Sequence, residues 1–185
     1  MKKPNIETEK YKKLSPSKNY YLSLCSSIIY QQISTKAGDS IYKKFLKLFK
    51  NKNPTPKLFL IIPEIEIKRA GISPQKLSYL KDLAEKFINK TIDEKNIYKM
   101  KDEEIIEHLM QVKGIGNWTA QMFLIFGLNK KNVLPCADLG IRKGFQKVYK
   151  LKKLPSDKQI KKVAKFYEGN LTKYSMFLWS SLHNT

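Results

Sequence analysis

Apolar residues recur at three- and four-residue steps along most of this 185-residue chain, and almost no segment alternates apolar with polar. That spacing predicts helices rather than strands. Tyr20, Leu24, Ile28 and Ile29 mark a first helix within residues 17–33. Phe45, Leu46, Leu48 and Phe49 close a second over residues 35–49. Pro54, Pro56 and Pro63 bracket a short apolar piece, 57–62. A lone strand there would have no partner, so a short helix is expected. Ser73-Pro74 is a start signal, because serine caps free amides and proline suits the first helical position. Leu77, Leu80, Ala84 and Phe87 then form one stripe. Residues 102–111 bury Ile105, Ile106 and Leu109, and residues 117–128 and 138–149 also read as helices. Ser156 and Gln159 have capping-box spacing and open a helix carrying Ile160, Val163, Ala164 and Tyr167. A last helix spans about 172–182. The expectation is an all-α protein of about ten helices joined by short connections.

The most informative stretch is Leu109-Met-Gln-Val-Lys-Gly-Ile-Gly-Asn-Trp-Thr-Ala120. One helix ends, two glycines follow with one apolar residue between them, and another helix begins. Gly114 and Gly116 permit unusual backbone angles and close approach of another molecule. Ile115 anchors the turn. The first amides of the next helix, from Gly116 to Trp118, have no intrahelical partner and suit a phosphate. Lys113 adds a mobile positive charge. The plainer alternative is a glycine-capped turn between two helices.

Charge agrees with a polyanionic partner. Lys and Arg number 36 against 16 Asp and Glu, a net charge of +20. Only Arg69 and Arg142 are arginines, so a solvated lysine surface explains much of the excess. The two cysteines, Cys25 and Cys136, cannot supply the four thiolates of an iron–sulfur cluster. The N-terminus lacks the apolar stretch of a signal peptide, and no apolar run is long enough to span a membrane. The expected location is the cytoplasm, near the nucleoid, or the nucleus, without secretion or membrane association. His108 and His183 have no second ligand at metal spacing.

The double-glycine stretch, with Val133-Leu-Pro-Cys-Ala-Asp138-Leu-Gly-Ile-Arg142 after it, resembles the hairpin and aspartate loop of the helix-hairpin-helix DNA glycosylases, specifically the 3-methyladenine DNA glycosylase II branch. Asp138 lies 22 residues after Gly116, as in that family. Ile28-Ile-Tyr-Gln-Gln-Ile-Ser34 resembles its glutamine-containing first core helix. Ala70-Gly-Ile-Ser-Pro-Gln-Lys-Leu-Ser-Tyr-Leu80 resembles a further block. The resemblance runs from about residue 17 to 182.

It implies a two-lobed fold with the lesion cleft between the lobes. Residues of about 35–130 would form a helical barrel with the hairpin at about 105–125, and about 1–34 with 131–185 the second lobe. An extra N-terminal α/β lobe of larger bacterial members is expected to be missing. The implied activity is monofunctional hydrolysis of the N-glycosidic bond of a damaged, alkylated base such as 3-methyladenine in duplex DNA, by a monomer.

Asp138 is the implied catalytic residue. Breaking the bond builds positive charge on the sugar, and a carboxylate stabilises it. Its other reading is a helix N-cap, and both roles can coexist. Trp118 stands where bifunctional relatives carry a Schiff-base lysine, so strand-cleaving lyase chemistry is not expected. Trp118, Met122 and Trp179 are candidates for the base pocket, with core packing the alternative for both tryptophans. Gln31 and Gln32 resemble the DNA-intercalating element. Lys113, Gly114, Ile115, Gly116, Asn117 and Thr119 are expected at the DNA. The carbonyls of Met110, Val112 and Gly114 match positions that hold a monovalent cation, Na+ or K+, in some relatives; no other cofactor is expected. Cys136 reads as a small loop residue. Other readings are a non-catalytic helix-hairpin-helix DNA-binding protein, a glycosylase for oxidised or deaminated bases, and a basic RNA-associated protein.

Overall fold

Six of the helices open on a side chain that closes a free amide. Asn19, Ser34, Thr55, Ser73, Asp138 and Ser156 each accept a first-turn N–H, supplying a partner the helix itself lacks. The computed structural model describes residues 4, 6, 15–49 and 53–182. Among them it holds ten α-helices and no strand: α1 Tyr20–Ile29, α2 Thr35–Lys47, α3 Pro56–Leu60, α4 Glu64–Arg69, α5 Pro74–Ile88, α6 Asp102–Met110, α7 Asn117–Met122, α8 Leu139–Val148, α9 Asp157–Ala164 and α10 Leu171–Ser180. None is long and apolar enough to cross a membrane.

The expected helices are present, including the short one in the proline-bracketed segment. Two features differ. Helix α4 was not foreseen. The segment 117–128 is not one helix, because α7 stops at Met122 and a π-turn, Phe123–Gly127, follows. Such turns widen a helix locally and recur near functional sites. His183 lies outside the described residues.

The chain divides into two units, Pro16–Leu128 and Asn129–Thr185 with Met1–Ser15. In the first, α1 packs against α5 and the π-turn, and α3 against α5. Leu24, Ile28, Ile29, Leu80, Leu83 and Phe123 are fully buried there. This packing is why α1 belongs with residues 16–128 rather than with the C-terminal helices, as the division at about residue 34 had it. Phe45 meets Phe49 edge-on, with ring centres 5.2 Å apart.

In the second unit the core joins Ile6, Ile141, Phe145, Ile160, Val163 and Leu178 around two stacked tyrosines. Tyr167 and Tyr174 lie 4.3 Å apart. The Tyr174 hydroxyl, deep in this core, shares a 3.2 Å hydrogen bond with Tyr149. Helices α8 and α10 pack closely. The contact is made at Gly144, where a β-carbon would run into the Leu178 carbonyl.

Candidate active site and nucleic-acid interface

Asp138 sits at the N-cap of α8, half-buried. The loop that delivers it is bolted to α10. Buried Thr172 donates its hydroxyl to the Lys130 carbonyl (2.6 Å) and accepts the Val133 amide (3.1 Å). Buried Ser175 donates to the Val133 carbonyl (3.0 Å). Arg142 donates from Nε to the Cys136 carbonyl (3.0 Å) and from its terminal nitrogen to Asp157 (2.6 Å). A loop held at both ends presents its last side chain in one place, as precise chemistry requires.

Two donors converge on one oxygen of that side chain. The Ile141 amide and the Trp179 indole N–H each reach Asp138 Oδ1 at 2.8 Å. Gly140 makes the approach of Trp179 feasible. A β-carbon there would lie 2.8 Å from the indole ring and 2.9 Å from Oδ1. The α8 N-terminus adds a favourable field for an anion. The result is an oriented carboxylate suited to stabilise a neighbouring positive charge. Cys136 lies in the same loop, and burial pushes its thiol up, with the Asp157 charge acting in the same direction. A protonated thiol is a poor nucleophile.

The hairpin forms in the other unit, between α6 and α7. Gly114 adopts φ +78, and the ring of Tyr79 fills the space where a side chain would begin. Gly116 is different: a β-carbon there would meet nothing within 4 Å, so its face opens outward. Ile115 is buried and its amide donates to the Val112 carbonyl (3.0 Å). The helical ladder of α7 starts with Ala120 donating to Gly116 (3.0 Å). The amides of Asn117, Trp118 and Thr119 therefore precede the first intrahelical bond. Lys113 and Asn117 are exposed. The Lys113 amide donates to Asp82 (2.7 Å), which also takes Lys86 Nζ at 2.6 Å. Partial burial pushes the Asp82 carboxyl up, but Lys86 and the Lys113 amide together outweigh it and hold it below the usual carboxylate range.

Some expected DNA-facing residues turn inward. Thr119 is buried, and its hydroxyl accepts from the Gln31 amide at 2.9 Å. The same Gln31 nitrogen donates to the Gly114 carbonyl (2.9 Å). Gln31 therefore ties α1 to the hairpin, which uses the atoms an intercalating role needs. Ile115 likewise serves as an anchor, its side chain and amide both engaged within the protein. Gln32 is exposed, with φ 56. Trp118 is half-buried and Met122 buried. Of the three carbonyls matched to a cation, Val112 already accepts from Ile115 and Gly114 from Gln31. Each carbonyl keeps a second lone pair. Among the described residues, no group of three His, Cys, Asp or Glu gathers at metal-binding distance.

Sequence reasoning missed Lys76, Tyr79 and Asp82, which brace α1 and the hairpin from α5. Lys76 and Tyr79 stand in the Ala70–Leu80 block, yet their partners lie 47 residues upstream and 35 downstream, beyond any local pattern.

Comparison with known proteins gives a consistent picture. The family model described as HhH-GPD superfamily base excision DNA repair protein matches residues 25–168. The chain is 35% identical to DNA-3-methyladenine glycosylase 1 of Schizosaccharomyces pombe over 97% of its length and 76% of that protein. It is 37% identical to the DNA-3-methyladenine glycosylase of Saccharomyces cerevisiae, covering 87% of the chain but only 57% of that protein. The solved structure of the Schizosaccharomyces pombe 3-methyladenine DNA glycosylase in complex with abasic DNA superposes with a TM-score of 0.88 at 31% identity, covering 95% of this chain and 86% of the other.

Proposed function

The chain belongs to the HhH-GPD superfamily of base excision DNA repair proteins, and from that premise we propose that it is a monofunctional DNA glycosylase that releases alkylated purines, 3-methyladenine among them, from duplex DNA. The observation that carries the reading is the Asp138 carboxylate, half-buried, pinned by its loop and oriented by two donors on one oxygen.

In the reaction, the bond between C1′ and the base nitrogen breaks and its electron pair leaves with the base. An alkylated purine is already cationic, so it departs neutral and needs little further help. Positive charge builds on the sugar, where Asp138 stabilises it. Water then attacks C1′, its proton passing to Asp138 or to solvent, and an abasic sugar remains. Trp118 in one unit and Trp179 in the other each carry an aromatic face of the kind that suits an electron-poor base. The amides at the start of α7, with Lys113 and Asn117, hold a strand phosphate without reading sequence. The carbonyls of Met110, Val112 and Gly114 would hold Na+ or K+, which adds positive charge beside that phosphate. Gln32 stands ready to fill the gap left by an extruded nucleotide. No lysine occupies position 118, so the enzyme stops at base release.

The test is a panel of duplexes carrying methylated, oxidised, uracil or hypoxanthine bases, read with and without alkali. The reading expects release of methylated purines and strand breaks only after alkali. Nicking without alkali would overturn monofunctional action, and release of none would overturn the enzyme assignment.

A further inference from the structure

Helix α5 carries Lys76, Tyr79 and Asp82 at three-residue steps, and all three reach the segments through which DNA is bound. Lys76 Nζ donates to the carbonyls of Ile29 (2.7 Å) and Gln31 (2.8 Å). Tyr79 lies against Gly114, and Asp82 takes the Lys113 amide. Between these contacts, the Gln31 amide donates to Gly114 and Thr119 of the hairpin. The next residue, Gln32, is exposed and left-handed at φ 56.

We propose that Lys76 is a positioning residue for base extrusion: it fixes the turn after α1 so that Gln32 and the strand-binding hairpin move as one block. The inference rests on the glycosylase reading above. Its physical basis is local. The last carbonyls of a helix lack partners, and an ammonium group satisfies them while favouring the negative end of the helix dipole. An apolar side chain would suffice to pack α5 on α1. The ammonium adds a grip on the Gln31 carbonyl, which lies beyond α1, in the turn itself. Burial of Lys76 lowers its pKa, as expected for a charge held largely by neutral carbonyls. A left-handed glutamine is strained and persists only where its neighbours impose it. Lys76 and the Gln31–hairpin bonds provide that constraint immediately before Gln32.

A wedge that fills the helix matters only while a base pair must be broken. The test is single-turnover release of 7-methylguanine from two duplexes, one with cytosine opposite the lesion and one with a tetrahydrofuran abasic site opposite it. Lys76→Met is expected to slow release from the paired duplex about tenfold and from the unpaired one at most about twofold, since charged hydrogen bonds to the turn are lost. Lys76→Arg, which keeps the donors, should restore most of the paired rate. Gln31→Met should reproduce the Lys76→Met pattern and carries the test should Lys76→Met fail to fold. Equal slowing on both duplexes, or none on either, overturns the inference while leaving the enzyme assignment intact. Wild-type protein that releases 7-methylguanine from neither duplex overturns the inference, and the enzyme assignment is then decided by the base panel above.

Discussion

The indole N–H of Trp179 donates to Asp138 Oδ1 at 2.8 Å, joining residues 41 positions apart. The bond gives the tryptophan a second task beside any contact with the base, because it sets the carboxylate's direction. Trp179→Phe keeps a ring and removes the donor. A hydrogen bond to a charged group contributes about 1.5–3 kcal/mol, and part of that acts on the transition state. Base release should fall roughly tenfold with DNA affinity within about twofold of wild type. Unchanged single-turnover release would show that the carboxylate is oriented without the indole.

The two glycines of α8 separate chemistry from stability. Gly144→Ala drives a methyl group into the Leu178 carbonyl, and overpacking against backbone costs about 1–3 kcal/mol. Its effect should appear as a lowered Tm. Gly140→Ala instead presses on the Trp179 indole and on Asp138 Oδ1, both within 3 Å. It should depress base release more than it depresses Tm, which parallel melting and excision assays will measure.

The hairpin glycines differ in the same way. Gly114→Ala meets both a left-handed backbone and the Tyr79 ring, so a loss of roughly 1–3 kcal/mol in unfolding stability is expected. Gly116→Ala meets nothing in the protein. It should melt near wild type yet bind duplex DNA more weakly, because the proposed phosphate contact at the start of α7 leaves no room for a β-carbon. Equal DNA affinity for Gly116→Ala and wild type would remove the hairpin from the interface.

Asp82 links stability to acid. Its folded pKa is depressed by Lys86 and the Lys113 amide, which outweigh the effect of burial. Its contribution is therefore fully present above the unfolded carboxylate value of about 4 and is lost as pH falls through the lower folded value. Asp82→Asn should be less stable than wild type at pH 7, and the gap should be smaller at pH 3, below the unfolded carboxylate value of about 4. Melting at the two pH values checks this. A gap that persists undiminished in acid would mean that packing, and not charge, accounts for the role of Asp82.

Local chemistry made much of the fold legible. Ser73 and Ser156 were recognisable as caps, and Asp138 as a cap with a second role, because capping needs only near neighbours in sequence. Helix α4 was hidden because Glu64-Ile-Glu-Ile alternates over too few residues to show a helical period. The π-turn was hidden because Phe123–Gly127 is wholly apolar in its side chains and carries no period at all. At the site, residue types pointed to the hairpin, and the family resemblance pointed to Asp138. They did not reveal that Gln31 and Thr119 satisfy each other across 88 positions, or that α5 braces the hairpin. Those contacts exist only once the chain has folded back on itself.

The central claim is that the Asp138 carboxylate acts on the sugar as well as capping α8. Asp138→Asn separates the two roles, since asparagine caps about as well as aspartate and still offers an oxygen to Ile141 and Trp179. The decisive measurement is single-turnover release of methylated purines from duplex DNA by this variant, alongside its Tm and DNA affinity. The account predicts native-like melting and binding with release reduced at least about a hundredfold. Release at the wild-type rate by a folded, DNA-bound variant would contradict it.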